Sequence, residues 1–277
     1  MKKFEGILFC TDIDGTLLND RKQISKENSE AIEYFKSKGG LFTFITGRMP
    51  FFSEETAKKV RQNAPVGCVN GGGIYDFEAN RYLDTTELSK DVVEVLEYIN
   101  KTMPDMGIQI NTFENVYFCT ENEAMANFRG VTGLPNLTSG IKDVTEPFAK
   151  IVFGHEELER IYELRDRLLS LPGADRFDYI HSERILFEIL PKGVNKGYAL
   201  KKLADITGTR IYRTIAIGDF DNDIPMIKTA GLGVAVENAK DNVKAVADLI
   251  VADNNHHAIA DVIDRLDSRN YSALLHL

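Results

Sequence analysis

Cysteine is scarce in this chain, and no two cysteines lie close together. The 277 residues contain Cys10, Cys68 and Cys119 and no CxxC pair. Disulfide-stapled domains and cysteine-bound zinc sites need more cysteines at shorter spacings. The sequence therefore indicates neither of them, and we expect a reduced, cytoplasmic compartment.

Positive charge is also in short supply. The chain has 33 lysines and arginines against 42 acidic residues, which gives a net charge of -9. Such a surplus of negative charge repels nucleic acid and anionic membrane surfaces. We expect no nucleic-acid or membrane partner. A phosphorylated ligand would have to be held by a local positive feature, such as a metal ion or a single lysine.

Long apolar runs are missing as well. Lys2 and Lys3 precede the apolar stretch GILFC, as they would in a secretion signal, but this stretch is too short and leads directly into Asp12. No run approaches the roughly 20 apolar residues of a transmembrane helix. At 43% hydrophobic residues, the chain can instead bury the core of one large domain or two smaller ones.

Strand and helix patterns alternate over the first third of the chain. GILFCTD and LFTFIT are continuous apolar runs, typical of strands that are covered on both faces of a parallel sheet. Between them, Ser25 is a candidate helix N-cap, and Gly39-Gly40 ends the helix. Ser53 is expected to open a second helix, which PVGCVN follows as a third strand. This alternation predicts a doubly wound, Rossmann-like α/β fold.

The pattern changes after a predicted hairpin, GIYDFEANRYLD, and returns only after Pro191. The intervening strands and helices are grouped in a way that predicts a separate α+β domain. After Pro191 a helix that ends near Thr207 leads into the strand RTIAIGD, and the alternation resumes. We therefore predict a core made of residues 1–84 and 191–277, with an α+β cap domain inserted at residues 85–190.

Polar residues follow three strands of the predicted sheet, and two of these strands are followed by carboxylates. Asp12 and Asp14 end the first strand, and the stretch GDFDND, with Asp219 second, follows RTIAI. Ligands of open parallel sheets bind beyond the carboxyl ends of the strands, where these three carboxylates would meet. Carboxylates this close repel one another unless one takes up a proton or a cation binds them, and hard oxygen ligands favour magnesium. The sequence therefore predicts a Mg²⁺ site.

The side chains around this cluster suit the handling of a phosphoryl group. One of Asp12 and Asp14 can attack phosphorus while the other moves the proton. The second strand ends at Thr46 and Gly47, whose hydroxyl and backbone amide can donate to phosphoryl oxygens. Lys196, at the start of a predicted helix, supplies positive charge. In-line phosphoryl transfer needs mainly positioning and charge neutralisation, and this set provides both.

These stretches resemble the four motifs of the haloacid dehalogenase (HAD) superfamily of phosphotransferases. In order, the motifs are DIDGTLL, FITGR, the lysine of GVNKG, and GDFDND. The stretch between Asp12 and Thr46 is too short for a cap domain, whereas the stretch from Thr46 to Lys196 can hold one. This spacing resembles the type C2 cap group, and NGGGIYD with GDFDNDIPMI is similar to its Cof-type, or IIB, branch.

The resemblance implies a Mg²⁺-dependent phosphatase that hydrolyses a small phosphomonoester, such as a sugar phosphate, through an aspartyl-phosphate intermediate. It implies that Asp12 is the nucleophile and Asp14 the acid/base, and that the cap sets substrate specificity. Mg²⁺ would be held by Asp12, by the main-chain carbonyl of Asp14 and by Asp219. The residues implied around the phosphate are the Ile13 amide, Thr46, Gly47, Lys196 and Asn222, with Asp223 supporting the site from behind.

Each of these residues also has a plainer interpretation. Asp12 and Asp14 could be turn residues, since Asp-Gly is a common turn pair. Thr46-Gly47 could be an ordinary strand-to-helix turn followed by a solvated Arg48, and Lys196 could be a surface charge. Asn222 and Asp223 could cap a helix. Cys10, two residues before Asp12, could be a thiol nucleophile, although a small buried strand residue is the simpler interpretation.

Two other functions are compatible with the same motifs. A phosphomutase could use the same core, and it would yield an isomerised product instead of free phosphate. A non-catalytic sensor of a phosphorylated ligand is a third possibility. The intact set of Asp12, Asp14, Lys196 and Asp219 argues against a sensor, because binding alone needs no nucleophile. The sequence predicts neither the identity of the substrate nor the oligomeric state.

Overall fold

The computed structural model describes residues 2–268, the side chain of Val131 excepted, as strands that alternate with helices. The strands are β1 (Leu8–Thr11), β2 (Leu41–Phe44), β3 (Val66–Cys68), β4 (Gly73–Asp76), β5 (Arg81–Thr85), β6 (Gly107–Thr112), β7 (Val116–Thr120), β8 (Phe148–Gly154), β9 (Phe177–Glu183), β10 (Leu186–Pro191), β11 (Thr214–Gly218), β12 (Leu232–Val236) and β13 (Leu249–Val251). The helices are α1 (Lys26–Ser37), α2 (Pro50–Val60), α3 (Val92–Thr102), α4 (Glu123–Thr132), α5 (Leu158–Ser170), α6 (Lys196–Thr207), α7 (Ile224–Thr229), α8 (Asp241–Lys244) and α9 (Ala258–Ser268). Within residues 2–268, no helix combines the length and the apolar character needed to span a membrane.

The central sheet is parallel and has the strand order β13-β12-β11-β1-β2. All four residues of β1 are buried, as expected for a strand covered on both faces. The chain winds outwards from β1 in two directions, to β2 on one side and through β11 on the other. Ligands of open α/β sheets bind at such a reversal of strand order, beyond the carboxyl ends of the strands. The predicted doubly wound α/β fold is confirmed.

The first helix shows how local sequence builds this layer. The Ser25 side chain accepts a hydrogen bond from the Asn28 amide at 3.2 Å, so the predicted N-cap is confirmed. The buried face of α1 presents Phe35, whose ring lies 5.9 Å from that of Phe9 on β1, centroid to centroid. Burying each such side chain stabilises the fold by about 1.5–3 kcal/mol. Helix α1 is thereby held against the strand that ends at Asp12.

The predicted start of the second helix was wrong. Helix α2 begins at Pro50, three positions before Ser53, and its N-cap residue Met49 makes no side-chain capping bond. Proline is favoured in the first turn because its fixed φ is already helical and its missing N–H would be unpaired there in any case. Ser53 is instead a buried residue inside the helix, and its hydroxyl donates to the Met49 carbonyl.

The third strand joins the central sheet only through a single parallel bridge between Ile45 and Gly67. Strand β3 pairs mainly with β4, antiparallel, in a separate sheet of order β3-β4-β5. A tight turn over Val69–Gly71 follows β3 directly and leads into this hairpin. The turn therefore lies next to the end of β2.

The chain divides into two compact units, with the inserted unit running from Thr85 to Val194. Near the end of this unit, Asp178 on β9 holds the segment that follows β10. Its carboxylate accepts from the Gly193 amide at 2.8 Å and pairs with Lys192 at 3.0 Å.

The inserted unit is built on an antiparallel sheet of order β7-β6-β8-β10-β9. Apolar side chains of α3 and α5, such as Leu96 and Leu164, share one buried core with Ile110 and other residues of the sheet. Lys150 and Glu188, on neighbouring strands, form a buried ion pair in which the ammonium lies 2.9 Å from both carboxylate oxygens. This unit thus combines an apolar core with a buried polar pair.

Candidate active site

Lys196 lies between two carboxylates at the start of α6, where Asn195 caps the helix through its side chain. Its ammonium donates to Asp12 Oδ1 at 2.6 Å and to Asp223 Oδ1, and the residue is 1% exposed. Burial alone lowers the pKa of Lys196, but the charges of Asp12 and Asp223 raise it more, and the net shift is upward. Lys196 is therefore a charged, buried residue, and its interpretation as a surface charge was wrong.

Asp12 stands at the end of β1, in the middle of the sheet, and is 6% exposed. Burial raises the pKa of its carboxyl group; Lys196 lowers this pKa, and the neighbouring carboxylates of Asp223, Asp219 and Asp14 raise it again. The pKa of Asp12 ends well above its ordinary value. The attraction of Lys196 therefore does not offset the combined effect of burial and the neighbouring carboxylates on Asp12.

Asp219 follows β11 and faces the DGT stretch that comes after β1. The Thr16 hydroxyl donates to Asp219 Oδ1 at 2.9 Å. Burial, and then the charge of Asp223, raises the pKa of Asp219 to about 6. Gly15 has φ +80°, and a Cβ there would come within 2.6 Å of Asp219 Oδ2. Only glycine therefore fits at position 15. The hydrogen bond from Thr16 to Asp219 was not predicted from the sequence.

Three carboxylates are close enough to share a cation. One oxygen each of Asp12, Asp219 and Asp223 lies within 4.8 Å of the others. Both oxygens of Asp223 are already engaged: Oδ1 accepts from Lys196, and Oδ2 accepts from the amides of Asp219 and Phe220 at 2.9 and 3.0 Å. Asp12 and Asp219 are thus the better ligands, with Asp223 behind them. The raised pKa values and the all-oxygen donor set suit a hard divalent cation.

The carboxylate of Asp14 has a different environment. Arg48 donates two hydrogen bonds to it, from Nε to Oδ2 at 2.8 Å and from Nη2 to Oδ1 at 2.7 Å. Lys22 Nζ donates a third to Oδ1 at 3.0 Å. Burial raises the pKa of Asp14, but Arg48 and Lys22 lower it more, so the net shift is downward. Asp12 and Asp14, two residues apart, thus have pKa values shifted in opposite directions. Such a pair is typical of carboxylates with different catalytic tasks.

Arg48 is therefore not the solvated residue that a plain strand-to-helix turn would have there. Its planar guanidinium matches the two oxygens of a carboxylate, and its third nitrogen donates to the Phe52 carbonyl at 3.1 Å. The sequence signal for this contact is the final arginine of FITGR.

The residues predicted around a phosphate lie on neighbouring loops. Thr46 is buried, and its hydroxyl accepts from the Arg48 amide at 3.2 Å. Asn222, in the GDFDND turn, donates from its side-chain amide to Asn70 Oδ1 at 3.0 Å. The side-chain carboxamide of Asn70 in turn lies against Gly47, because a Cβ added at Gly47 would be 3.1 Å from its oxygen and nitrogen atoms. Their phosphate-binding role stays a prediction, as does that of the Ile13 amide, and Asn70 is an addition to this group.

Cys10 is fully buried in β1. Burial raises the pKa of its thiol far above the ordinary value, which removes the thiolate that a nucleophile needs. Its interpretation as a small buried strand residue is confirmed.

Comparison with known proteins identifies the family. The sequence model of the haloacid dehalogenase-like hydrolase family matches residues 9–263. A 5-amino-6-(5-phospho-D-ribitylamino)uracil phosphatase of Bacillus subtilis is 30% identical over an alignment that spans 94% of this chain and 98% of that protein. The chain belongs to the haloacid dehalogenase-like hydrolases, and it is a phosphatase. The resemblance to the Cof-type, or IIB, branch is confirmed.

Solved structures agree with this assignment. A haloacid dehalogenase-like hydrolase from Bacteroides thetaiotaomicron superposes with a TM-score of 0.80 at 27% identity, over 94% of this chain and 99% of that one. A sugar phosphatase of HAD subclass IIB has the same fold, with a TM-score of 0.83 at 19% identity over 94% and 99% of the two chains. Both structural matches cover residues of the inserted unit, Thr85–Val194, as well as of the rest of the chain.

The contact between Arg48 and Asp14 generates a first prediction. If Asp14 is the acid/base that the resemblance implies, replacing Arg48 with glutamine (R48Q) should lower kcat by about 10- to 100-fold, since a positioned general acid or base contributes roughly 10²- to 10⁴-fold and Asp14 would be misplaced, not removed. The loss in kcat/KM, which reports the steps up to departure of the leaving group, should be larger for an alkyl phosphate than for p-nitrophenyl phosphate, because nitrophenolate leaves without a proton. The measurement is kcat and KM for both esters.

The matched control for R48Q is K58Q, which removes a cation from the exposed face of α2, the helix that follows Arg48. K58Q should keep the kcat of the wild-type enzyme for both esters. Equal losses of kcat/KM on the two esters in R48Q, or no loss at all, would contradict a role for Arg48 in positioning the proton-transfer group.

Proposed function

We propose that this phosphatase cleaves small phosphomonoesters by transferring the phosphoryl group to Asp12. The observation that carries the proposal is the environment of Asp12: it stands at the end of β1, is bound by the buried Lys196, and has Asp219 and Asp223 beside it. A nucleophilic carboxylate needs neighbours that keep it ionised while a second anion approaches. Lys196 and a divalent cation would together provide them.

The reaction would proceed in two halves. In the first, a carboxylate oxygen of Asp12 attacks phosphorus, the ester P–O bond breaks, and Asp14 passes a proton to the leaving oxygen. In the second, Asp14 takes a proton from a water molecule that attacks phosphorus and releases Asp12 and free phosphate. The lowered pKa of Asp14 suits the second half. For the first half, the negative charge of the arriving phosphate raises that pKa and favours the protonated form.

The other side chains would hold the phosphoryl group while its charge is redistributed. We assign the phosphoryl oxygens to the Ile13 amide, Thr46, Gly47, Lys196 and Asn222. We assign the metal to Asp12, Asp219 and the main-chain carbonyl of Asp14, with Asp223 orienting Lys196. Mg²⁺, when bound, neutralises negative charge on the phosphoryl oxygens as a Lewis acid.

Sugar phosphates and similar metabolites are the proposed substrate class. One relative at 30% identity over nearly its whole length is named for a phosphorylated ribitylamino-uracil, and that compound is a specific candidate. Selection among such esters would fall to the domain at residues 85–190. With few cysteines and a net charge of -9, we expect the enzyme to act in the cytoplasm, without nucleic-acid or membrane partners.

The nucleophile assignment predicts the outcome of a phosphate-release screen. Over a panel of phosphomonoesters with Mg²⁺, D12N should lose more than about 10³-fold in kcat on the best substrate, because the amide oxygen is a poor nucleophile. D221N is the matched control: Asp221 lies in the GDFDND turn but pairs with Lys240 and Asn242, and its variant should stay active. Wild-type turnover by D12N would overturn the assignment, and isomerised product without free phosphate would indicate a phosphomutase.

The metal assignment predicts a loss of activity on chelation. EDTA should abolish phosphate release, and added Mg²⁺ should restore it. Calorimetry should detect Mg²⁺ binding to the wild-type protein and weaker binding to D219N, which removes one charged ligand. Full activity in EDTA, or equal Mg²⁺ affinity in D219N, would show that the carboxylate cluster does not hold the catalytic metal.

A further inference from the structure

The turn over Val69–Gly71 has an unusual backbone. Three successive residues have positive φ: 55° at Val69, 52° at Asn70 and 106° at Gly71. Left-handed backbone is common for glycine and tolerated by asparagine, but it is unfavourable for a β-branched valine. Such strain persists only where the surrounding structure imposes it, and strained positions cluster at functional sites.

Two loops of the active site hold this turn in place. The Val69 amide donates to the Arg48 carbonyl, and the Asn70 amide donates to the Thr46 carbonyl, both at 3.0 Å. On its other side, a Cβ on Gly71 would come within 2.2 Å of the Asn195 carbonyl oxygen, directly before Lys196. The turn is thus packed between the loop after β2 and the start of α6.

This placement puts the Asn70 side chain among residues assigned to the phosphate. Asn70 is fully buried, and its Oδ1 accepts from the side-chain amide of Asn222 at 3.0 Å. The same carboxamide lies against Gly47. Asn222 has two N–H groups on its amide, and its bond to Asn70 uses one of them.

We propose that Asn70 is a positioning residue for phosphate binding, a role that rests on the proposed function of Asn222. By accepting one N–H of the Asn222 amide, Asn70 fixes the rotation of that amide and leaves the second N–H for a phosphoryl oxygen. The strained backbone of the turn fixes Asn70 itself relative to Gly47. A loosened Asn222 would hold both the substrate phosphate and the transition state less firmly.

The test removes the side chain of Asn70 and leaves its backbone unstrained. Glycine adopts positive φ freely, so N70G deletes the carboxamide without a new backbone penalty. The matched control is N80G, because Asn80 has the same φ of 52° and lies exposed in the β4–β5 hairpin. N70G should raise KM and the inhibition constant of vanadate by about tenfold, the effect of weakening one hydrogen bond to a charged group. N80G should change neither, and both variants should keep the circular-dichroism spectrum of the wild-type enzyme. The melting temperature of N70G should fall, because this variant loses a buried, hydrogen-bonded carboxamide.

A double-mutant cycle separates this role from a structural one. If Asn70 acts through Asn222, the double variant N70G/N222A should bind vanadate no more weakly than N222A alone. Losses that multiply in the double variant, or an unchanged vanadate constant in N70G, would overturn the proposal. Should N70G fail to fold, N70S, whose shorter side chain does not reach as far, replaces it with the same expectations.

A wrong proposed function would give a different result from a wrong role for Asn70. A wild-type enzyme that released phosphate from no ester would contradict the proposed function and leave no KM to compare. Calorimetric binding of inorganic phosphate to the wild-type protein, N70G and N80G would then still test Asn70. A tenfold weaker affinity in N70G alone would support its role, and equal affinities would contradict it.

Discussion

The site depends on one buried interaction, in which Lys196 lies between Asp12 and Asp223. Charges taken out of water are stable only when they are paired and hydrogen-bonded, and removing one partner leaves the others uncompensated. The three residues come from the end of β1, the start of α6 and the turn after β11. Because the Lys196 side chain is 1% exposed and pairs with both carboxylates, these three segments are held in one arrangement. The turn at Asn70 extends this arrangement to the loop after β2.

The two aspartates of the first motif show how a small separation along the chain becomes a difference in chemistry. Asp12 is buried beside a lysine and other carboxylates, and its pKa is raised. Asp14 is partly exposed and bound by Arg48 and Lys22, and its pKa is lowered. The two side chains thus have different surroundings although only Ile13 lies between them. Environment, and not residue type, thus gives these two carboxylates different acidities.

The sequence predicted the parts of the site that follow from sheet geometry. Parallel strands end at a common edge, so Asp12 and Asp219 could be expected to meet although they are far apart along the chain. It did not predict the partners of Arg48 or Asn70. An arginine after a strand looks like any solvated helix-start residue until the fold brings a carboxylate to it. The sequence did not predict the left-handed turn over Val69–Gly71 either, because a β-branched valine disfavours such a backbone.

The most direct test of the account is to trap and locate the phosphoryl group. In D14N, attack by Asp12 on p-nitrophenyl phosphate needs no proton transfer to the leaving group, whereas hydrolysis of the aspartyl-phosphate loses its base. Acid-quenched D14N incubated with Mg²⁺ should therefore carry one phosphoryl group, which peptide mapping by mass spectrometry should locate on Asp12. A burst of nitrophenolate without phosphorylated protein, or a phosphoryl group on any other residue, would contradict the central role given to Asp12.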